Sequence, residues 1–180
     1  MSWEESMFAV FDDLEQQAAG LHLVERDAEV AAMSVAEYSR ISLAERLHAS
    51  VGDDLRVRLV GGHQLSGRLA RCGPDWLLLV DHNAEWIVRS EGLVAVTGLS
   101  RRADSEETWS VVDRLTVRSL LRRLAVDSVS CLVRFVDDQQ VHGRIGRVGQ
   151  DFVELHVGEG TGRSVLVVPL HAVTALQEQL

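Results

Sequence analysis

An internal duplication constrains this chain more than any other feature of its sequence. A shift of 76 residues aligns 55–79 with 131–155 without a gap, and ten of the 25 positions are identical. Chance would give about one or two identities, so the match reflects a true repeat. A helical stretch precedes each copy, and 94–99 and 171–176 extend the match with a one-residue shift. The sequence therefore predicts two copies of one helix-plus-β unit.

Each copy has the pattern of several short β-strands. Leu55-Arg-Val-Arg-Leu alternates apolar and charged residues, which is typical of a half-buried strand. The pairs Gly61-Gly62 and Asp137-Asp138 then predict a tight turn into a second strand. A glycine inside that second strand, Gly67 or Gly143, is expected to mark a bend or bulge.

Five strands are predicted in each copy. The third runs over 76–80 and 152–157, and the last two over 86–88 with 93–96 and over 164–168 with 170–173. Five short strands in about 45 residues cannot form a large flat sheet but can curl into a small barrel.

The preceding helix, with Leu43 and Leu47 or Leu120 and Leu124 on one face, is expected to cap an open end of the barrel. The predicted fold is α+β, with two tandem helix-capped five-stranded small β-barrels. The predicted domains are an acidic helical arm at 1–40, a helix plus first barrel at 41–100, and a helix plus second barrel at 101–180.

The first three strands of each copy resemble the first motif of Sm-like proteins (Sm, LSm and Hfq type), and the SH3-like small barrels share it. The motif reads Val57-x-Leu59-x-x-Gly62-x-x-x-x-Gly67-x-Leu69 and Val133-x-Phe135-x-x-Asp138-x-x-x-x-Gly143-x-Ile145. The resemblance covers about 55–99 and 131–176 and implies a tandem small-barrel protein. Family members bind RNA through an asparagine in the third strand, and Leu77 or Val153 occupies that position here.

Charge is distributed unevenly along the chain. Residues 1–54 hold twelve carboxylates and three arginines and so carry the whole net charge of −9, whereas 55–180 are balanced. An acidic segment repels phosphate backbones, and the neutral remainder lacks the basic footprint of most nucleic-acid-binding proteins.

Three arginine positions recur between the copies and are the candidate contacts for a nucleic acid or an acidic partner. They are Arg58, Arg68 and Arg71 in the first copy and Arg134, Arg144 and Arg147 in the second. Arg58 and Arg68 are expected to lie beside each other on paired strands. The alternative is a solvated face on which these arginines pair with the recurring aspartates, Asp75 and Asp151.

The amino-terminal segment has no counterpart in the second copy. A capping box at Ser2 to Glu5 predicts a helix, and five apolar side chains follow at helical spacing. These side chains are Trp3, Met7, Val10, Phe11 and Leu14. They are interpreted either as core packed on the first barrel or as an acid-rimmed docking face for a partner protein.

The sequence contains no pattern typical of a catalytic or metal-binding site. The seven histidines show no ligand spacing, and Cys72 and Cys131 occupy positions that the other copy fills with aliphatic residues. No enzyme activity, metal, cofactor, small-molecule substrate or membrane span is expected, and the expected location is cytoplasmic. The predicted function is a non-catalytic interaction or regulatory protein acting through protein partners or self-association. RNA binding through the repeated arginines is the alternative.

Overall fold

The computed structural model describes residues 37–82, 84–158 and 162–178. The chain divides into two units, Met1–Ile41 and Ser42–Leu180, and the elements below belong to the second. The part of that unit that is described contains ten strands and two α-helices, which are named here in chain order. They are α1 (Leu43–His48), β1 (Asp54–Leu59), β2 (Gln64–Cys72), β3 (Trp76–Asp81), β4 (Ala84–Arg89), β5 (Leu93–Thr97), α2 (Val117–Val126), β6 (Ser130–Phe135), β7 (Gln140–Val148), β8 (Phe152–Val157), β9 (Ser164–Pro169) and β10 (Val173–Glu178).

The alternating pattern in β1 produces the half-buried strand that the sequence predicts. Leu55, Val57 and Leu59 are buried, while the residues between them are exposed. A turn with positive φ at Gly62 (89°) leads into β2, and Asp138 (66°) has the corresponding conformation before β7. The predicted hairpins are therefore present in both copies.

Equivalent backbone hydrogen bonds show that the duplication is structural. The amide of Gly73 donates to the carbonyl of Trp76, and the amide of Gly149 donates in the same way to Phe152, both at 2.9 Å. A second matching pair joins Asp75 to Ser90 (2.9 Å) and Asp151 to Leu170 (2.7 Å). The two copies thus share strand order as well as sequence.

The correspondence between the last strands differs from the one predicted. Val57 faces Val96 across β1 and β5, and the equivalent Val133 faces Leu176 across β6 and β10. The shift there is 80 residues rather than 77, because the β8–β9 connection is four residues longer than the β3–β4 connection. The predicted fifth strand at 170–173 was wrong, since a 3-10 turn occupies Leu170–Ala172 and β10 follows it.

The ten strands form one open antiparallel sheet, in the order β5-β1-β2-β3-β4-β10-β6-β7-β8-β9. The prediction of two helix-capped five-stranded barrels was wrong. The fourth strand of the first copy pairs with β10 of the second copy, so the sheet continues from one copy into the next instead of closing within each. The described part of the fold is mostly β, and the predicted helical arm at 1–40 lies largely outside it.

The core consists of two apolar clusters, one for each copy. Side chains of α1 and of β1 to β4 form the first cluster, and α2 and β6 to β10 form most of the second. Trp76 of β3 belongs to the second cluster, while Leu132 and Ala175 belong to the first, so the two clusters interlock. No helix of the described ranges is long and apolar enough to cross a membrane.

The helices pack through the predicted apolar faces only in part. In α1, Leu47 is fully buried but Leu43 is 44% exposed. In α2, Val117 and Leu121 are buried, whereas Leu120 and Leu124 only flank the cluster. Each helix packs against its own half of the sheet and does not cap a barrel.

Candidate interaction surfaces

The repeated arginines do not form one surface. Arg58 of β1 is opposite Gln64 and Arg68 of β2 is opposite Asp54, so the two arginines lie four register positions apart along the β1–β2 pair. The expectation that they are neighbours was wrong, because the hairpin register sets them at opposite ends of the strand pair. The Arg68 Nε donates to the Gly52 carbonyl oxygen (3.2 Å).

The third repeated arginine lies at a register shift in each copy. The β2–β3 ladder is irregular between Leu69 and Arg71, and the β7–β8 ladder between Ile145 and Val148. These irregularities lie after Gly67 and Gly143, and they leave Arg71 and Arg147 exposed. Arg144, on the same strand as Arg147, is also exposed.

Arg134 makes an aromatic contact that the equivalent arginine of the first copy does not make. Its guanidinium lies over the ring of Trp86, 5.3 Å from the centroid, where the two copies meet. The ring of His63 also lies near Trp86, with 6.5 Å between the ring centroids. Burial, and then the charge of Arg134, lower the pKa of His63. Arg134 is therefore a packing residue of the junction.

The aspartates predicted to pair with these arginines act elsewhere. Asp75 Oδ1 accepts a hydrogen bond from the amide of Val117 at the start of α2 (2.8 Å). Among the described residues the arginine ion pairs are Arg89 with Glu91 and Arg123 with Asp127, and neither includes Asp75 or Asp151. The predicted pairing with Asp75 and Asp151 was thus wrong, although five of the six arginines are exposed to solvent as that interpretation required.

The predicted docking side chains Trp3, Met7, Val10, Phe11 and Leu14 lie outside the described residues. The cysteines are buried, free thiols. Burial raises the pKa of Cys72 to about 12 and that of Cys131 to about 11, so neither is a reactive thiolate at neutral pH. In the ranges that the structure describes, no three histidine, cysteine or carboxylate side chains are placed to hold a metal ion.

The sheet has two edges, and one of them exposes a run of apolar side chains. Strand β9 pairs only with β8 among the described strands, and Val165, Leu166 and Val167 are 54%, 38% and 58% exposed. Strand β5 forms the opposite edge, and its Val94 is 53% exposed. Neither strand contains a charged residue. An exposed, uncharged edge strand is a template for pairing with another strand, because its outward N–H and C=O groups have no partner in the sheet.

The junction inside the sheet shows how two such edges fit together. Strand β4 of the first copy pairs with β10 of the second, with Val88, Ile87 and Trp86 opposite Ala175, Leu176 and Gln177. Strand β9 is the second-copy equivalent of β4, and β5 is the first-copy equivalent of β10. The two free edges are therefore the same pair of surfaces that the chain already joins internally.

Sequence analysis missed these edges. The signal was the uncharged run Val165-Leu-Val-Val168 between Ser164 and Pro169, which was assigned to a strand but not to an edge. Edge position depends on the order of strands in the sheet, which local pattern does not encode. No protein-family model matches this chain, and no curated protein is significantly similar to it.

Proposed function

We propose that this protein is a non-catalytic interaction protein that assembles with further copies of itself through its two sheet edges. Strand β9 of one molecule would pair with β5 of the next. The observation that carries the proposal is the β4–β10 pairing, in which equivalent strands already join the two copies within one chain. Such a contact uses different surfaces on the two molecules, so repetition gives a closed ring or an open filament.

The internal junction also gives a register for the contact between molecules. Applying the 80-residue correspondence to the β4–β10 pairs predicts Val168 opposite Ala95, Val167 opposite Val96 and Leu166 opposite Thr97. These are apolar or small side chains on both edges, so the pairing buries exposed apolar surface without burying a charged side chain.

The proposal is tested by adding a charge to each edge. Val167→Lys should lower the assembly mass measured by light scattering toward that of a single 19.9 kDa chain, and Val94→Lys should do the same. Val111→Lys is the matched control, because Val111 is 84% exposed but lies in the connection between the copies. A wild-type protein that stays monomeric at about 100 µM would contradict the proposal.

A mixture of the two edge variants tests the direction of the contact. Each variant retains one intact edge, β5 in Val167→Lys and β9 in Val94→Lys. The mixture should therefore form a two-chain complex, whereas each variant alone should not. A contact between two identical edges would give dimers in one variant alone and no gain on mixing.

RNA binding through the repeated arginines has less support. Arg58 and Arg68 lie at opposite ends of the β1–β2 pair, and Arg134 packs on Trp86. The two cysteines are free thiols, which is consistent with the cytoplasmic location predicted from the sequence, and that location remains part of the proposal.

A further inference from the structure

A groove of about 860 Å³ opens in the second copy, beside the amino-terminal end of edge strand β9. It is bounded by the segment after α2, by β7 and β8, and by the residue before β9. Its polar lining consists of Ser128, Ser130, His142, Arg144, His156 and Arg163. The volume is in the range of about 300–1,000 Å³ that is typical of sites for small molecules.

The groove is rich in cationic and hydrogen-bond-donating groups. Arg144 and Arg163 carry permanent positive charge, and both are exposed to the groove. Two histidine rings, His142 and His156, add ring nitrogens, and no carboxylate of the described residues lines the groove. The groove therefore has the electrostatic character of an anion-binding site.

Comparison with the first copy shows that this character is specific to the second. Arg144 lies between Ser130 and His156 on the neighbouring strands. The equivalent Arg68 lies between Asp54 and Val80, so a carboxylate faces the arginine there. The second copy has lost that acidic neighbour and gained an imidazole on the other side.

Glycines shape the surface around these side chains. A Cβ at Gly146 would overlap the imidazole of His156, so the missing side chain lets that ring lie against the β7 backbone. Gly143 and Gly158 also line the groove.

We propose that this groove binds a small phosphorylated molecule, with Arg144 and Arg163 contacting its phosphate oxygens. Phosphate is favoured because guanidinium groups bind its oxygens in a planar, two-pronged geometry. A small ligand is favoured over a long polyanion because residues 55–180 carry no net charge and so lack the extended basic surface of most nucleic-acid-binding proteins. The groove adjoins the start of β9 but is lined by no residue of β5 or β9, and its proposed ligand does not depend on the proposed assembly.

The test is calorimetric titration of the full-length protein with inorganic pyrophosphate and with ADP at low salt. Arg144→Gln/Arg163→Gln should weaken the binding of both probes by about tenfold or more, because charge-assisted hydrogen bonds to phosphate are lost. The matched control is Arg58→Gln/Arg71→Gln, which removes the same charge at exposed positions outside the groove and should bind as the wild type does.

A second variant restores the first copy's charge pattern. Ser130→Asp places a carboxylate opposite Arg144, as Asp54 is placed opposite Arg68, and should also weaken pyrophosphate binding by about tenfold. This variant keeps both arginines, so it tests the proposal even if the double variant does not fold.

Three outcomes would overturn the proposal. The first is no heat of binding from either probe at millimolar concentration. The second is equal affinity in the wild type, the double variant and Ser130→Asp. The third is a single-stranded RNA of about 12 nucleotides that binds more than tenfold tighter than ADP through the same arginines, since the ligand would then be a nucleic acid.

Discussion

Gly67 and Gly143 lie at equivalent positions in the two copies, where neighbouring backbone approaches closely. A Cβ at Gly67 would stand 2.8 Å from the carbonyl oxygen of Val80, and one at Gly143 would stand 2.9 Å from that of His156. Both carbonyls belong to the paired strands β3 and β8, so they cannot move without disturbing the sheet. Close packing of the backbone, rather than a bulge at the glycine itself, explains why both copies keep glycine here.

Gly67→Val and Gly143→Val should each lower the free energy of unfolding by about 1–3 kcal/mol, as expected for an overpacked site. Urea denaturation measures this, with Gly162→Ala as control, because nothing lies within 4 Å of a Cβ at Gly162. Wild-type stability in both valine variants would show that the strands can separate at this point without cost.

His48 holds the connection between the copies against α1. Its ring stacks on Trp109, with 4.9 Å between centroids, and its Nδ1 lies 3.2 Å from Asp104 Oδ2. Asp113 is 3.6 Å from His48 Nε2 and accepts a hydrogen bond from the Ser110 hydroxyl at 2.5 Å. That hydrogen bond is the main reason why the pKa of Asp113 lies below its ordinary value of 3.8.

This lowered pKa predicts a pH-dependent effect of Asp113→Asn. A carboxyl with a depressed pKa stabilises the fold when ionised, so its contribution is complete above about pH 5 and is lost as pH falls through the lowered pKa. The variant should melt about 1–3 °C below the wild type at pH 7, and the difference should shrink as the pH falls below 3.8 and through the lowered pKa. Asp127→Asn, at an exposed pair with Arg123, is the control for loss of a surface charge. A difference that persists undiminished at pH 2 would exclude the ionised carboxylate as its cause.

Helix α2 begins at a cap supplied by another element. Thr116 occupies the N-cap position but makes no side-chain capping bond, whereas Ser42 and Glu45 form a complete capping box at α1. Asp75, in the β2–β3 turn, provides the missing acceptor through its 2.8 Å hydrogen bond from the amide of Val117. A side chain of the first copy thereby caps the helix of the second.

Asp75→Ala should destabilise the protein by about 0.5–2 kcal/mol, the usual cost of losing an N-cap. Asp151→Ala is the matched control, because Asp151 has the same place in the second repeat. Its backbone carbonyl, and not its carboxylate, accepts the hydrogen bond from the amide of Leu170. Denaturant melts of the two variants should therefore differ. Equal losses would mean that the aspartates matter for the turn and not for the helix.

Sequence pattern predicted elements better than it predicted their arrangement. Alternation identified β1, because a half-buried strand leaves a period of two residues, whereas β6 was predicted from its alignment with β1. The fifth strand was misplaced in the second copy, because the β8–β9 connection is longer than the β3–β4 connection. The sequences of β5 and β10 are too dissimilar to reveal this difference in length. The β4–β10 pairing was missed because strand neighbours join through backbone groups that every residue shares.

The candidate surfaces were predictable only in part, for the same reason. Recurrence between copies identified Arg144 but not its surroundings, and the histidines were set aside because none recurs. His142 and Arg144 are two residues apart in β7, which places both on the same face of the sheet. His156 lies beside Arg144 because of the β7–β8 register, which the sequence pattern does not show. A site specific to one copy is invisible to a search for what the copies share.

At the scale of the whole molecule, the β4–β10 junction makes one sheet out of two copies. Trp86 of β4 is largely buried there, with Arg134 of β6 over its ring. The apolar clusters also exchange members across the junction, so the core of each copy contains side chains from the other. Because unfolding one copy would expose residues of the other, residues 42–178 are expected to unfold in a single cooperative transition.

Arg134→Gln tests this coupling between the copies. Loss of the cation–π contact should lower stability by about 0.5–2 kcal/mol, and the single calorimetric transition should shift as a whole. Arg58→Gln is the control, because Arg58 is the exposed equivalent in β1 and should leave the melting temperature within about 1 °C of the wild type. If Arg134→Gln instead lowers one of two resolved transitions, the copies unfold independently, and the internal junction is then too weak to serve as the template for contacts between molecules.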